Sequence, residues 1–289
     1  VKILDKVSRK LRLWRARLVA FWVSNLKRKP IWYTDQFGIT SQLRPGENIV
    51  YTVFVDSHFD DVGVVLLLKG YLKPGMIVVD VGANKGDFSL LAAKMVSPSG
   101  SVFAIEPVDY TYQYLRENIA RSYPGSDVIR TFQLAAYNED SEVQINIFPN
   151  NFFSWNTLGK PIMKSNGHEV TPTQTETVLA KRLDSFCDEH HIDRINLLKI
   201  DVEGFEAEVF AGASKLVQSQ TIDAIVFEIS KAPLEGTQKT PRDVMKAFMN
   251  EGFVVSLILQ NGDLETIADS EHFSYPYFAN YFAVRPNSI

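Results

Sequence analysis

One cysteine, Cys187, is the chain's whole supply, so no internal disulfide can form and the fold must hold by packing alone. That fits a reducing compartment, and the expected location is cytoplasmic, peripheral at a membrane at most. The five histidines form no ligand pattern, so no metal site is assigned. Long apolar runs are missing too: Leu18 to Val23 is six residues, against roughly 20 for a membrane span, and no small-residue cleavage site follows it. Neither secretion nor a transmembrane segment is expected. Gly-x-Gly-x-x-Gly and Gly-Lys-Ser/Thr are both absent, which argues against a pyrophosphate or nucleoside-triphosphate site. Internal repeats and low-complexity tracts are absent as well.

What is present is an ordinary globular composition: 289 residues, 45% hydrophobic and 22% charged, enough for one large domain or two small ones. The net charge of −4 is unevenly spread, because residues 1–30 carry ten basic residues against Asp5, leaving +9 there and −13 on the remainder. A basic head meets something negative, while the acidic body offers no broad surface for nucleic acid. In that head Leu4, Val7, Leu11, Trp14, Leu18 and Phe21 recur at spacings of three and four, one apolar stripe on a helix. A Lys/Arg-rich amphipathic helix bearing Trp suits a membrane interface. Packing of the stripe on the body or a second subunit is the favoured reading, since such burial is commonplace.

Lys27-Arg28-Lys29-Pro30 reads as a boundary, giving a basic helix over 1–30 and a β-rich lead-in over 31–72. The lead-in contains a strand-like run, Asn48 to Val55, and a short buried helix, Val62 to Gly70. From residue 73 strands alternate with helices, the pattern of a parallel sheet covered on both faces. The expected strands are Ile77–Val81, Ser101–Ile105, Ile129–Leu134, Ile195–Ile200 and Ala224–Ile229, with Phe253–Leu259 and Tyr281–Val284 as late strands able to pair. Helices are expected over Asp87–Val96, Tyr110–Ser122, Ser185–His190, Phe205–Gln218 and Pro241–Glu251. Pro149 to Thr175, following a strand-like Val143–Phe148, is polar and irregular with embedded aromatics, and about 149–176 is read as a substrate-facing insertion.

Chemistry concentrates in two places. At the end of the first core strand Asp80 precedes Gly82, Ala83, Asn84 and Gly86, residues suited to a tight turn and close ligand approach. In open α/β sheets ligands sit beyond the carboxyl ends of strands, where this turn falls. The next strand ends in Glu106-Pro107, and an acid there can accept hydrogen bonds from both ribose hydroxyls. Together they point to an adenosine ligand without a diphosphate.

The second place is Lys199-Ile200-Asp201-Val202-Glu203-Gly204. A lysine in an apolar strand needs a counter-charge, and Glu228 on the expected neighbouring strand is the candidate. Such a cluster suits deprotonating or orienting a hydroxyl. A divalent cation on oxygen ligands is chemically compatible with it, but nothing in the residue pattern supports one. His168 in the insertion is a further base candidate, and Trp155 could stack on a sugar or fill an apolar cluster.

VVDVGANKGDFS (78–89), AIEP (104–107), Leu183-Asp184 and LLKIDVEGFEAEVFAGA (197–213) resemble the FkbM-type methyltransferases, over about residues 70–285. The resemblance implies a class I, Rossmann-like α/β fold: a seven-stranded, mostly parallel sheet with its last strand antiparallel and helices on both faces. It also implies S-adenosylmethionine as donor and O-methylation of a hydroxyl on a sugar, glycan or related metabolite. Carried over by position, Asp80, Gly82, Asn84 and Gly86 line the methionine and ribose side, and Glu106 holds the ribose. Ala135, Ala136 and Asn138 match the adenine-side turn, with Ser141 where the family often has glycine. Asp201 and Glu203 match the acidic turn near the methyl. Asp201, Glu203 and Glu228, in that order, are the base candidates. A nicotinamide oxidoreductase and a catalytically silent adenosine-binding partner are the competing readings.

Overall fold

The computed structural model describes residues 2–27, 29–45, 47, 49–55, 57–59, 61–159, 163–165, 168–270 and 272–286. Helix α1 (Lys2–Phe21) runs into a π-helical turn, Trp22–Lys27. A hairpin of β1 (Ile31–Thr34) and β2 (Thr40–Leu43) follows, then α2 (Ile49–Val55) and α3 (Val62–Tyr71). Next come β3 (Ile77–Val81), α4 (Asp87–Val96), β4 (Ser101–Ile105), α5 (Asp109–Ser122), β5 (Ile129–Phe132), β6 (Ala135–Ala136) and β7 (Ser141–Ile147). Beyond a 3₁₀ turn at Asn150–Trp155 lie β8 (Met163–Ser165), β9 (His168–Val170), β10 (Gln174–Lys181) and α6 (Leu183–His190). The chain continues with β11 (Ile195–Ile200), α7 (Glu206–Ala211), α8 (Ser214–Gln218), β12 (Ile222–Ser230), α9 (Lys231–Glu235) and α10 (Pro241–Asn250). It closes with β13 (Val254–Ile258), β14 (Leu264–Thr266) and β15 (Phe278–Val284).

The main sheet has the order β14-β13-β15-β12-β11-β3-β4-β5. β12, β11, β3, β4 and β5 are mutually parallel, while β15 runs antiparallel to both β12 and β13. Seven strands therefore have the expected arrangement, and β14 adds an eighth by hairpin pairing with β13 at the edge. The unbroken apolar strands are explained by burial on both faces. Val79, Val81, Phe103, Ile105, Leu198, Ile200, Ile225 and Phe227 face α6, α7, α8 and α10. Their neighbours Val78, Val102, Ala104, Leu197, Ala224 and Val226 face α3 and α4.

Several expectations change. The run 49–55 is a helix, not a strand, and Asn48 lies outside the described residues. Ile49 and Val53, four apart, are buried with Ala16, Val23 and Leu43, so packing on α1 overrides β-propensity. The 31–72 segment is accordingly one hairpin and two helices. The stripe expected to bury α1 does not: Leu11, Trp14, Leu18 and Phe21 are exposed, and the helix packs through Ala16 with Val19 and Ala20 half-buried. Small side chains let the two helices approach closely. The side chains of Leu4 and Val7, and residue Arg28 of the boundary, lie outside the description.

Phe205–Gln218 is two helices because Gly212 runs against the Tyr137 carbonyl, where a Cβ would sit 2.0 Å from the oxygen. Asp184 then restarts the helix, its carboxylate accepting from the N–H groups of Lys215 (3.0 Å) and Leu216 (3.1 Å). The 149–176 segment is more ordered than expected, holding the 3₁₀ turn, the β8–β9 hairpin and the start of β10; residues 160–162 and 166–167 lie outside the description. β10, unexpected from sequence, joins β6 and β7 in a three-stranded sheet. Among the described residues no helix is long and apolar enough to cross a membrane.

Candidate active site

Where β3, β4 and β11 end, the chain turns around a cavity of about 490 Å³, within the range of small-molecule sites. Gly82 sits at the first turn with φ +74°, and a Cβ there would lie 1.8 Å from the Asp201 carbonyl oxygen, so only glycine lets the β3 and β11 turns meet. The N–H groups of Gly82 and Ala83 both donate to the Ile105 carbonyl, at 3.0 and 2.9 Å. Asn84, also at positive φ, donates its N–H to Glu106 Oε2 at 2.9 Å. The other carboxylate oxygen, Oε1, accepts from the Val108 N–H (3.1 Å) and the Thr111 hydroxyl (2.5 Å). Burial raises the Glu106 pKa against those three donors. One carboxylate thus holds the glycine turn and the second strand end in fixed relation.

Gly82, Ala83, Asn84, Glu106, Pro107, Ala135 and Ala136 all line this cavity. Asp80, Gly86 and Asn138 do not. Asp80 is wholly buried beneath it, accepting from the Ser89 hydroxyl at 2.6 Å and pairing with Lys199, 3.4 Å away. Gly86 caps α4 and packs towards Leu115, and Asn138 lies exposed in a bend. Strand alternation sends Asp80 inward, and a motif spacing does not report side-chain direction.

Next to the glycine turn, Lys199, Asp201, Glu203 and Glu228 come together. Lys199 takes its counter-charges from Asp201 Oδ2 (3.1 Å) and Asp80 Oδ1, rather than from Glu228. Register explains the difference, since Lys199 is opposite Asp80 on one side and Val226 on the other. Its ammonium also donates to the Gly82 carbonyl at 3.2 Å. Burial opposes its charge, but Asp201 and Asp80 outweigh burial and raise its pKa.

One oxygen from each of Asp201, Glu203 and Glu228 lies within 4.8 Å of the others. Burial, then the neighbouring Asp201 carboxylate, pushes both Glu203 and Glu228 well above the usual range. Crowded carboxylates of this kind share a proton and titrate as a unit. Of the three carboxylates, Asp201 is the one paired with Lys199. Glu206, not singled out from sequence, braces the turn: its Oε1 accepts from the N–H of Gly204 at 3.0 Å and of Val202 at 3.4 Å. Burial lifts its pKa to about 7.

The remaining walls come from distant segments that local motifs did not reveal. Glu47, Thr52, His58 and Asp61 contribute from the lead-in, Phe153 to Leu158 from the insertion, and Phe278 and Asn280 from β15. Trp155 lines the cavity while stacking on Phe152, ring centres 4.4 Å apart, within an apolar cluster that includes Phe148 and Ala232. The Thr157 hydroxyl donates to the Glu203 carbonyl at 2.7 Å, tying insertion to acidic turn. His168 is exposed on β9 and takes no part in the cavity. His58, by contrast, is buried in its wall, with Nε2 3.0 Å from the Tyr33 carbonyl oxygen.

Glycine turn, strand-end carboxylate and a sheet with its seventh strand reversed define a class I methyltransferase fold. The small residues Gly82, Ala83, Ala135 and Ala136 with the Glu106 carboxylate form a cradle that fits S-adenosylmethionine. Residues 80–255, more than half of the chain, match the methyltransferase FkbM domain, and the chain belongs to that family of S-adenosylmethionine-dependent methyltransferases. It is 25% identical over 197 residues to the hexuronic acid methyltransferase AglP of Haloferax volcanii, covering 66% of this chain and 74% of that one. It is 27% identical to the 2-O-methyltransferase NoeI of Sinorhizobium fredii (53% and 62% covered). The 31-O-demethyl-FK506 methyltransferase FkbM of Streptomyces tacrolimicus is 30% identical (49% and 60%).

Proposed function

We propose that this methyltransferase acts on a hydroxyl of a sugar, free or within a glycan, with Glu203 and Glu228 as the proton-accepting pair. The observation that carries the reading is one cavity lined both by the glycine turn with Glu106 and by the clustered carboxylates of Asp201, Glu203 and Glu228. Two of the relatives named above act, by their names, on a hexuronic acid and at a 2-O position, which supports a carbohydrate acceptor.

S-adenosylmethionine, when bound, supplies a methyl group activated by its positive sulfur. The chain's residues do the rest. Glu106 with the Gly82–Asn84 turn holds the nucleoside, and Ala135 and Ala136 leave room for its base. An alcohol is a weak nucleophile until its proton is taken, and a base whose pKa is displaced towards neutrality accepts that proton most effectively at working pH. The Glu203–Glu228 pair, its pKa raised by burial and by Asp201, takes that proton as the new O–CH₃ bond forms and the S–CH₃ bond breaks. Lys199 keeps Asp201 fixed and offsets the negative charge of the corner. Trp155 offers an apolar face for a pyranose ring.

The test is transfer of labelled methyl from S-adenosylmethionine to a panel of hexoses, hexuronic acids and glycans, alongside titration with S-adenosylhomocysteine and NAD. Saturable S-adenosylhomocysteine binding and an alkali-stable methyl ether on a sugar are expected. Transfer confined to carboxyl groups, as alkali-labile esters, would overturn the acceptor assignment; tight NAD binding without S-adenosylhomocysteine binding would overturn the cofactor.

A further inference from the structure

Helix α1 is turned inside out relative to an ordinary surface helix. Its inner face is built of small residues, Ala16 with Val19 and Ala20, set on Ile49 and Val53 of α2. At about 100° per residue, Leu11, Trp14, Leu18 and Phe21 fall together on the opposite side. These four side chains are 61%, 64%, 47% and 56% exposed. Arg15 and Arg17, both exposed, border the stripe on its two sides, and exposed Arg12 lies further round. A solvated helix turns charge outward and apolar residues inward; here the largest apolar residues are outermost.

Charge decides what covers such a face. A second copy laid against it would bring two segments of charge +9 together, which is repulsive. An apolar strip with tryptophan, edged by arginines, is complementary instead to a bilayer surface, where the strip enters the acyl boundary and the guanidinium groups meet anionic headgroups.

We propose that the outward face of α1 docks this protein on an anionic lipid bilayer. The same helix α2 that receives α1 through Ile49 and Val53 also presents Thr52 to the cavity. Docking therefore places the cavity on the bilayer side of the protein, behind α1 and α2, which suits a lipid-borne sugar as acceptor. That consequence rests on the function proposed above; the docking does not.

Flotation of the full chain with vesicles of mixed phosphatidylglycerol and phosphatidylcholine tests it. The chain is expected to float with them, and at least about tenfold less with phosphatidylcholine alone or in high salt. The double variant Trp14→Glu/Leu18→Glu and the triple variant Arg12→Glu/Arg15→Glu/Arg17→Glu are each expected to lose flotation by a similar factor. Both should keep wild-type thermal unfolding, because the replaced side chains are exposed. Absence of wild-type flotation, or flotation indifferent to both variants, overturns the proposal. So does a wild-type dimer in solution that Trp14→Glu/Leu18→Glu converts to monomer, since a second copy would then be the occupant. A chain that floats yet methylates no sugar leaves docking standing and removes only the acceptor assignment.

Discussion

The two ends of the cavity are made of different material. The part proposed to hold the nucleoside is largely backbone: Gly82, Ala83 and Asn84 contribute turn geometry, and one carboxylate, Glu106, locks them to β4 within a span of 25 residues, 82–106. The part proposed to receive the acceptor is side chains, brought from the lead-in, the insertion, β11, β12 and β15. A backbone-built site tolerates little change at its glycines and much elsewhere. A side-chain-built site can be respecified one residue at a time.

That division is broken most severely if the acidic corner proves dispensable. Glu203→Gln with Glu228→Gln is expected to lower kcat/KM by about 10²–10⁴ while S-adenosylhomocysteine affinity stays within about threefold. In the wild type, activity should fall as pH drops through the pair's displaced pKa, because the protonated pair accepts no proton. A pH–rate profile unchanged by either single substitution would exclude the pair as base.

Gly82→Val attacks the other end. Positive φ and a 1.8 Å overlap with the Asp201 carbonyl oxygen should cost on the order of 3 kcal/mol. Calorimetric titration should show cofactor binding lost or weakened about a hundredfold, and a normal isotherm would show that the turn does not form as described.

Glu206 tests the support between the ends. Its folded pKa of about 7 lies above the ordinary 4.5. Its stabilising contribution is therefore complete below pH 4.5 and disappears as pH rises through 7, when a buried charge must form. Glu206→Gln should become progressively more stable than wild type between pH 5 and pH 8 in urea unfolding, by up to about 3 kcal/mol. A wild type that is the more stable of the two at pH 8 would contradict that sign.

The smaller effects sharpen the comparison. Trp155→Ala should raise the acceptor KM about tenfold with cofactor affinity unchanged; equal loss at both ends would mean that it only props the fold. His168→Ala, on the exposed β9, should alter neither kcat nor KM, and a measurable fall in kcat would bring the hairpin into the site.

Legibility followed the same divide. The turn after β3 and its contact with Glu106 are legible because their signals are local: a strand, a glycine turn, and an acid ending the next strand. Yet the motif over-reached at Asp80 and Gly86, which support the turn from beneath. The apolar strand around Lys199 signals that it needs a counter-charge but not that Asp201 and Asp80 supply it, because partner choice depends on strand register. Glu47, Thr52, His58 and Asn280 carry no local signal at all.

The N-terminal region shows the limit most clearly. Period and charge identified α1 as an amphipathic cationic helix, but not which face it turns to the body. Run 49–55 was misread as a strand since its β-branched residues satisfy either periodicity over so short a length.

By itself the amino-acid order determined the alternating strands and helices, the glycine turn, the strand-end acid and the excess of positive charge at one end. These depend on hydrophobic period and on residues adjacent in the chain. Tertiary structure alone decided which carboxylates meet Lys199, which distant segments wall the acceptor end, and that α1 keeps its bulky apolar stripe outside. Those outcomes are set by close packing and register between segments far apart in the chain, where the free energy of one arrangement over another lies in contacts that no local pattern encodes.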